Sequence, residues 1–329
     1  MDRAHHRNLG MELVRVTEAA ALSAAAFMGT GDKNGGDAAA VQAMRTVLRT
    51  VQMQGIVLIG EGEKDEAPML YNGEPVGSGD GPELDIAVDP VEGTRLLADG
   101  RPNAISVIAA APKGAMWDPG PSLYMKKIVV EQAARAAIDI TQSPTENLRT
   151  IAAALNRQIY NLTVFVLDKP RHKNLIDEIR RTGARITLRS DGDVMGGLMA
   201  AVPGTGIDVL MGTGGTPEGI ITAAAVKALG GGMQAMPDPQ LENEQQALRR
   251  QQSGYLDQVL DQDTLIRSED AFFAATGITG GPFLEGVHFD QATGVTTHSI
   301  VIRALSGSIR YIQGIHQRKP EHVFGDQAG

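Results

Sequence analysis

Acidic, glycine-rich segments stand where apolar runs of this chain end. "GDKNGGD" (31–37), "GEGEKDE" (60–66) and "DPVEGT" (89–94) supply Asp37, Glu61, Asp89 and Glu92, and "GTGGTPEG" (212–219) supplies Glu218. Two like charges about 4 Å apart repel by roughly 1 kcal/mol in water and about 4 at an effective dielectric near 20, so such a set expects a cation. All-oxygen donors suit Mg²⁺ or Mn²⁺ better than zinc or copper. Two such ions about 3.5–4 Å apart can hold an attacking water and a leaving oxygen in line on a phosphate. A turn at Pro90 and Gly93 can bring Asp89 and Glu92 to one side, with the Thr94 hydroxyl beside them. Glu63, Lys64, Asp65 and Glu66 also read as a solvated turn.

Cations and glycines gather in the second half. Lys169 and Arg171 of "DKPRH" (168–172) suit an anionic group, Arg171 as a bidentate fork and Lys169 as a point charge, or else form a solvated basic turn. His172 reads as a helix-start residue. Asp191 and Asp193 of "SDGD" (190–193) can bond sugar hydroxyls, or Asp193 can cap the helix that follows. The 212–219 loop could cradle a phosphate on backbone N–H groups, but Glu218 would repel it there, and metal ligation explains that glutamate better. Tyr124 in "SLYMKK" reads as packing from physics alone.

These residues need elements to hold them. "NLGMELVRVTEAAALSAAAFMG" has helical spacing, stopped by Gly29 and Gly31, and "AAAVQAMRTVLRTVQM" predicts a second helix with Asp37 at or before its first turn. "GIVLIGEGEKDEAP" predicts a strand ending in acids. Ile86 to Val88 predict a short strand that stops at Asp89, because Pro90 cannot continue a ladder. "NAISVIAAAP", "KKIVVEQ" and "AAIDIT" read as further strands. From "LTVFVL" to "GIITAAAVKALGGG" strands and helices alternate as βαβαβα, which predicts a parallel sheet. Each of its polar clusters follows a strand, at the carboxyl edge where open α/β sheets bind ligands. "ENEQQALRRQQ" reads as a solvated helix, "THSIVIRAL" and "GSIRYIQGIH" as strands, and the tail from Lys319 as loose. The turn-rich "TQSPTENL" (141–148) marks the best boundary, giving 1–145 as an α/β metal-binding half and 146–329 as an α/β substrate-binding half.

Bulk properties narrow the class. The 329 residues are 42% hydrophobic and 21% charged, ordinary for a globular protein, and no apolar run reaches membrane-spanning length. A net charge of −9 argues against a nucleic-acid binder while leaving a locally positive site possible. The absence of cysteine excludes disulfides, thiolate metal sites and a cysteine nucleophile. The opening "MDRAHHRNLGMELVRV" lacks a signal-peptide core, and a cytoplasmic protein is expected.

In order and at similar spacing, "GDKNGGDAAAVQAMR", "IGEGEKDEAPMLY", "DIAVDPVEGT", "LYMKKI", "KPRH", "DGDV" and "GGTPEG" resemble class II fructose-1,6-bisphosphatase. "FFAATGITGG" and "THSIVIRALSGSIRYIQGIH" resemble its C-terminal region, so the resemblance runs from about residue 9 to 316. It implies a layered α/β/α/β sandwich, dependence on Mg²⁺ or Mn²⁺, and removal of the 1-phosphate of fructose 1,6-bisphosphate. Asp37 and Glu61 would hold one metal, and Asp89, Glu92 and Glu218 another. Glu92, Gly93, Thr94, Tyr124, Lys169, Pro170, Arg171, Asp191, Gly192, Asp193 and Gly215 would contact substrate. Thr94 would orient the attacking water, with Asp65 and Lys33 as further catalytic candidates. A homodimer or homotetramer is expected on the same ground. Sedoheptulose 1,7-bisphosphate is an alternative or second substrate; "DPVEGT" alone is also similar to the metal signature of inositol monophosphatases.

A nicotinamide-dependent oxidoreductase is the rival from another class, weakened by the lack of G-x-G-x-x-G at a first strand with an acid about 20 residues on. A non-catalytic sugar-phosphate sensor is the third reading.

Overall fold

The computed structural model describes residues 8–62, 69–251, 254–290 and 294–317. Packing divides the chain into two units, one running to Met116 and resuming at Ser268, the other spanning Trp117–Arg267. The turn-rich 141–148 stretch lies inside the second unit. There the Ser143 hydroxyl accepts the Glu146 N–H at 3.1 Å and starts a helix.

The first unit opens with α1 (Leu9–Ala25), α2 (Lys33–Leu48), β1 (Gln54–Ile59), β2 (Pro75–Val76), β3 (Glu83–Glu92), α3 (Thr94–Ala98) and β4 (Ile105–Pro112). The second unit contains β5 (Tyr124–Val130), α4 (Pro144–Ala154), β6 (Thr163–Leu167), α5 (Lys173–Thr182), β7 (Arg185–Arg189), α6 (Asp193–Ala201), β8 (Val209–Gly215), α7 (Thr216–Leu229), β9 (Gly232–Pro237), α8 (Glu242–Leu248), β10 (Leu260–Asp261) and α9 (Gln262–Leu265). The chain then returns to the first unit as β11 (Phe272–Gly277), β12 (His288–Asp290), β13 (Gly294–Arg303) and β14 (Ser308–His316).

The first unit's sheet runs β12-β13-β11-β4-β3-β1-β2, with β14 paired to β13. Among the described residues, β1 and β3 are its one pair of neighbours that run parallel. Their adjacency puts the residues that follow β1 and those that end β3 on one edge. Helix α1 is apolar around most of its circumference and correspondingly buried, its alanines letting the backbone lie close to the sheet and to α2.

Two expectations change here. Helix α2 begins five residues before "AAAVQAMR", because Asp32 caps it by accepting the Gly35 N–H at 2.9 Å; Asp37 therefore sits inside the helix. Gly36 is tolerated within α2 because a Cβ there would lie 2.8 Å from Leu97 of α3. Strand β3 does not stop at Asp89 but continues through Pro90 to Glu92. Its pairing with β4 slips between Asp89 and Glu92, so Pro90 occupies a bulge, beyond the last β1 partner at Ala87.

In the second unit the sheet order is β10-β9-β5-β8-β6-β7. Strands β6, β7 and β8 are parallel, as the alternating pattern predicts, and the outer strands are antiparallel to them or to one another. From β6 the chain steps outward to β7 and then crosses back to β8. Right-handed crossovers in opposite directions put α5 and α6 on opposite faces. Val164 and Val166 accordingly pack with Ile151, Ile176 and Ile179 of α4 and α5, while the ring of Phe165 lies against Gly196 of α6.

"AAIDIT" is not a strand: a 3-10 helix occupies Gln132–Ala137, after which Ile138 and Ile140 enter the core and Gln234 Oε1 accepts the Ile140 N–H at 2.8 Å. Nor is α8 simply solvated, since Glu244 is buried and accepts the backbone N–H groups of Leu123 and Tyr124 at 2.7 and 2.8 Å. The chain from Lys319 lies outside the described residues. No described helix is long and apolar enough to cross a membrane.

Candidate active site

In the first unit the acids collect around the edge formed by β1, β3 and the start of α3. Glu61 follows β1, its backbone N–H donating to Leu70 O at 2.9 Å, while the preceding Gly60 donates to Asn72 Oδ1 at 2.9 Å. A Cβ at Gly60 would lie 1.9 Å from the Leu70 carbonyl oxygen, so only glycine lets this segment close against 70–72. Asp89 is half-buried in the bulge and shapes it, accepting the Val91 N–H at 3.1 Å. Glu92 is 3% exposed at the end of β3. Gly93 then takes φ +87° and turns the chain into α3, whose first residue is Thr94.

The loop before α2 is bound to the far end of α3, with Gly29 and Gly31 N–H groups donating to the Leu97 and Ala98 carbonyls at 3.0 Å each. Together with the Gly36–Leu97 contact, this ties the start of α2 to the helix that Thr94 begins. Asp37 is half-buried there, and burial pushes its carboxyl above the ordinary carboxylate range against the opposing charge of Lys33, which is exposed one turn earlier. Asp85, first of the acids in "DIAVDPVEGT", serves the fold: its Oδ2 accepts the Met116 N–H at 3.1 Å. Asp65 lies outside the described residues.

The second unit gathers its candidates at the carboxyl ends of β6, β7 and β8, where the strand order reverses. Tyr124 joins them because β5 runs antiparallel to β8 and pairs Tyr124 with Gly215. The Arg171 guanidinium lies 5.3 Å from the Tyr124 ring centroid. Its Nε and Nη2 both donate to the Thr213 carbonyl, at 3.0 and 2.8 Å. That edge of the expected fork is thus spent on strand β8, and Nη1 faces away from this bond. Lys169 is half-buried beside exposed Pro170.

His172 is 3% exposed and does more than start α5. Its Nε2 accepts the Thr213 N–H at 2.7 Å, so Nδ1 carries the proton and donates to Leu167 O at 2.7 Å. Burial above all, with the Arg171 charge beside it, lowers its pKa and keeps the ring neutral. The Thr213 hydroxyl donates to Asp238 Oδ2 at 2.5 Å.

Asp193 does not cap α6, where Gly192 occupies the cap position at φ +97°. Its carboxylate instead meets the ammonium of Lys127, which also donates to the Gly215 carbonyl at 3.0 Å. Glu218, in the first turn of α7, is half-buried as a residue, but its Oε2 is sealed from solvent and accepts no hydrogen bond from the described residues. Desolvation pushes its carboxyl up, opposed by Lys127 and assisted by Asp193. The glycines of this loop make room for these side chains: a Cβ at Gly214 would lie 2.0 Å from Asp193 Oδ2, and one at Gly215 would lie 1.8 Å from Glu218 Oε2.

The donor chemistry fits a hard divalent cation: carboxylates without thiolates, and in Glu218 a desolvated Oε2 with no hydrogen-bond partner among the described residues. Among the described residues no three Asp, Glu or His side chains are gathered closely enough to form a cage. Lys127, Thr213 and Glu244 are the residues that motif reading missed. Lys127 was within the quoted "LYMKKI", yet nothing in a strand's local pattern distinguishes a lysine that pairs with a distant carboxylate.

Parallel strand ends bearing hard oxygen donors beside Lys169 and Arg171 have the composition of an α/β phosphatase. The profile described as "Bacterial fructose-1,6-bisphosphatase, glpX-encoded" matches residues 7–316, and the chain belongs to that family. It is 42% identical to the D-fructose 1,6-bisphosphatase class 2/sedoheptulose 1,7-bisphosphatase of Synechococcus elongatus, over 94% of this chain and 96% of the relative. The protein of the same description from Synechocystis sp. is 43% identical over 96% of this chain and 98% of its own length.

Proposed function

We propose that this chain hydrolyses the 1-phosphate of fructose 1,6-bisphosphate, giving fructose 6-phosphate and inorganic phosphate, in the cytoplasm and as a homodimer or homotetramer. The observation that carries the reading is the desolvated Glu218 Oε2, without a hydrogen-bond partner among the described residues, on the same sheet edge as Lys169 and Arg171. An edge that offers cations to one phosphate and a hard ligand to a metal suits a bisphosphate. Sedoheptulose 1,7-bisphosphate is the second reading, favoured by the dual description of both relatives.

In this reading Asp37 and Glu61, and Asp89, Glu92 and Glu218, hold Mg²⁺ or Mn²⁺, which supplies charge neutralisation at the phosphoryl oxygens. Lys169 and Arg171, with Pro170 shaping their turn, bind the phosphate that stays. Tyr124, Asp191, Gly192, Asp193 and Gly215 orient the sugar, and Glu92 and Gly93 line the reacting end. The Thr94 hydroxyl orients a water for attack on phosphorus, with Asp65 sharing that role and Lys33 as a further catalytic residue. The phosphorus–oxygen bond to the sugar breaks as the bond to water forms, and the proton that the water gives up ends on the departing sugar oxygen. Positioning and charge account for most of the rate, since phosphoryl transfer asks little covalent chemistry of the protein.

Phosphate release from a panel of sugar phosphates, with Mg²⁺, Mn²⁺ or EDTA present, tests this directly. Activity on either ketose bisphosphate that EDTA abolishes and metal restores is expected. Full activity after exhaustive chelation, or none with any bisphosphate, would overturn it.

A further inference from the structure

Lys127 is a lysine in the middle of a buried strand, its side chain only 1% exposed. Burying an ammonium is costly unless charge and hydrogen bonds meet it. Here they come from two separate loops: the Asp193 carboxylate at the start of α6, and the Gly215 carbonyl that ends β8. One nitrogen on β5 therefore bolts the loop after β7 to the loop after β8. It engages Oδ2 of Asp193, whose side chain retains 10% exposure. The close packing of Gly214 against both groups leaves Asp193 little room for another rotamer.

We infer that Lys127 is a positioning residue for sugar recognition, holding Asp193 aimed so that its second oxygen accepts a substrate hydroxyl. Its effect on substrate runs through Asp193, so removing either partner costs the same interaction. The inference rests on the function proposed above, and its test separates the two.

Lys127→Met, Asp193→Asn and the double variant are compared by steady-state kinetics, by calorimetric titration with fructose 6-phosphate, and by thermal melting. Lys127→Met is expected to raise KM for the bisphosphate at least tenfold, with kcat within about threefold, and to weaken product binding in parallel. Asp193→Asn should do the same. Residues acting as a unit give non-additive effects, so the double variant should be no worse than the worse single one. A simple packing role predicts a lower melting temperature without that coupling in KM.

If Lys127→Met fails to fold, the double variant, which removes both charges, is compared with Asp193→Asn alone. Equal KM supports the inference, and a further tenfold rise overturns it. A folded Lys127→Met with KM and product affinity within twofold of the unaltered chain also overturns it, as do multiplicative effects in the double variant. If the unaltered chain releases no phosphate but binds fructose 6-phosphate, the proposed reaction fails and calorimetry still decides Lys127. No binding of fructose 6-phosphate at all overturns both.

Discussion

At the scale of single residues, the site's chemistry is set by which atoms are already engaged. The Thr94 hydroxyl begins a short helix immediately after Glu92 and a left-handed Gly93, a position fixed by backbone geometry. A group that orients water acts mainly in the transition state, so Thr94→Ala is expected to lower kcat by about 10² to 10⁴ while KM stays within a factor of about two. A kcat loss under about threefold would leave Thr94 a turn residue. Glu218 offers a different test because its carboxyl is pushed up by desolvation. A raised folded-state pKa means that the folded chain keeps a proton the unfolded chain has lost. Stability present below the ordinary value of 4.5 is therefore lost as pH rises. In EDTA, Glu218→Gln should be more stable than the unaltered protein at pH 8, and the gap should close toward pH 4.5. Urea titrations at the two pH values check this; coincident curves would show that the carboxylate is adequately solvated.

At the scale of elements, strand ends are coupled by side chains reaching to neighbouring backbone. His172 and Arg171, on the turn after β6, grip the N–H and the carbonyl of Thr213 on β8. The turn carrying Lys169 is thereby referenced to the strand that leads to Glu218. His172→Phe keeps a ring but orphans a buried N–H, and is expected to cost about 1–3 kcal/mol at pH 7.5. The pH dependence has a definite sign. The His172 pKa is lowered on folding, so its stabilisation is complete above the ordinary value of 6.5 and is lost as pH falls through the folded-state value. The unaltered protein should lose melting temperature between pH 7.5 and 5.5 more steeply than His172→Phe. Parallel slopes in differential scanning calorimetry would remove His172 from that role.

At the scale of the molecule, the second unit is an insertion between β4 and β11, and its described strands pair with one another. Residues 117–267 expressed alone are expected to melt cooperatively with native circular dichroism; a non-cooperative profile would show that the closing strands of the chain are required. A homo-oligomer is expected as well, and one face of β14 exposes Ile309, Tyr311 and Ile315, in keeping with a covered face. Light scattering at micromolar concentration should give a multiple of 34.8 kDa, and a single-chain mass would refute it. Much of this was legible beforehand. Apolar runs ending in "GEGE", "DPVEGT", "DKPRH" and "GTGGTPEG" determined by themselves the donor chemistry, the parallel βαβαβα core and the edge on which its residues lie, because strand period and turn chemistry are local properties. What only the tertiary structure decided depends on partners distant in sequence. Turn composition at 141–148 is as strong as at a domain boundary, yet the last strands return to pair with β4, and no local signal encodes that return. Pro90 forbids a ladder bond but not a bulge, so the strand continues where its neighbours ask nothing of that nitrogen. Lys127 looks like any strand lysine until Asp193, sixty-six positions away, supplies the charge that makes its burial possible.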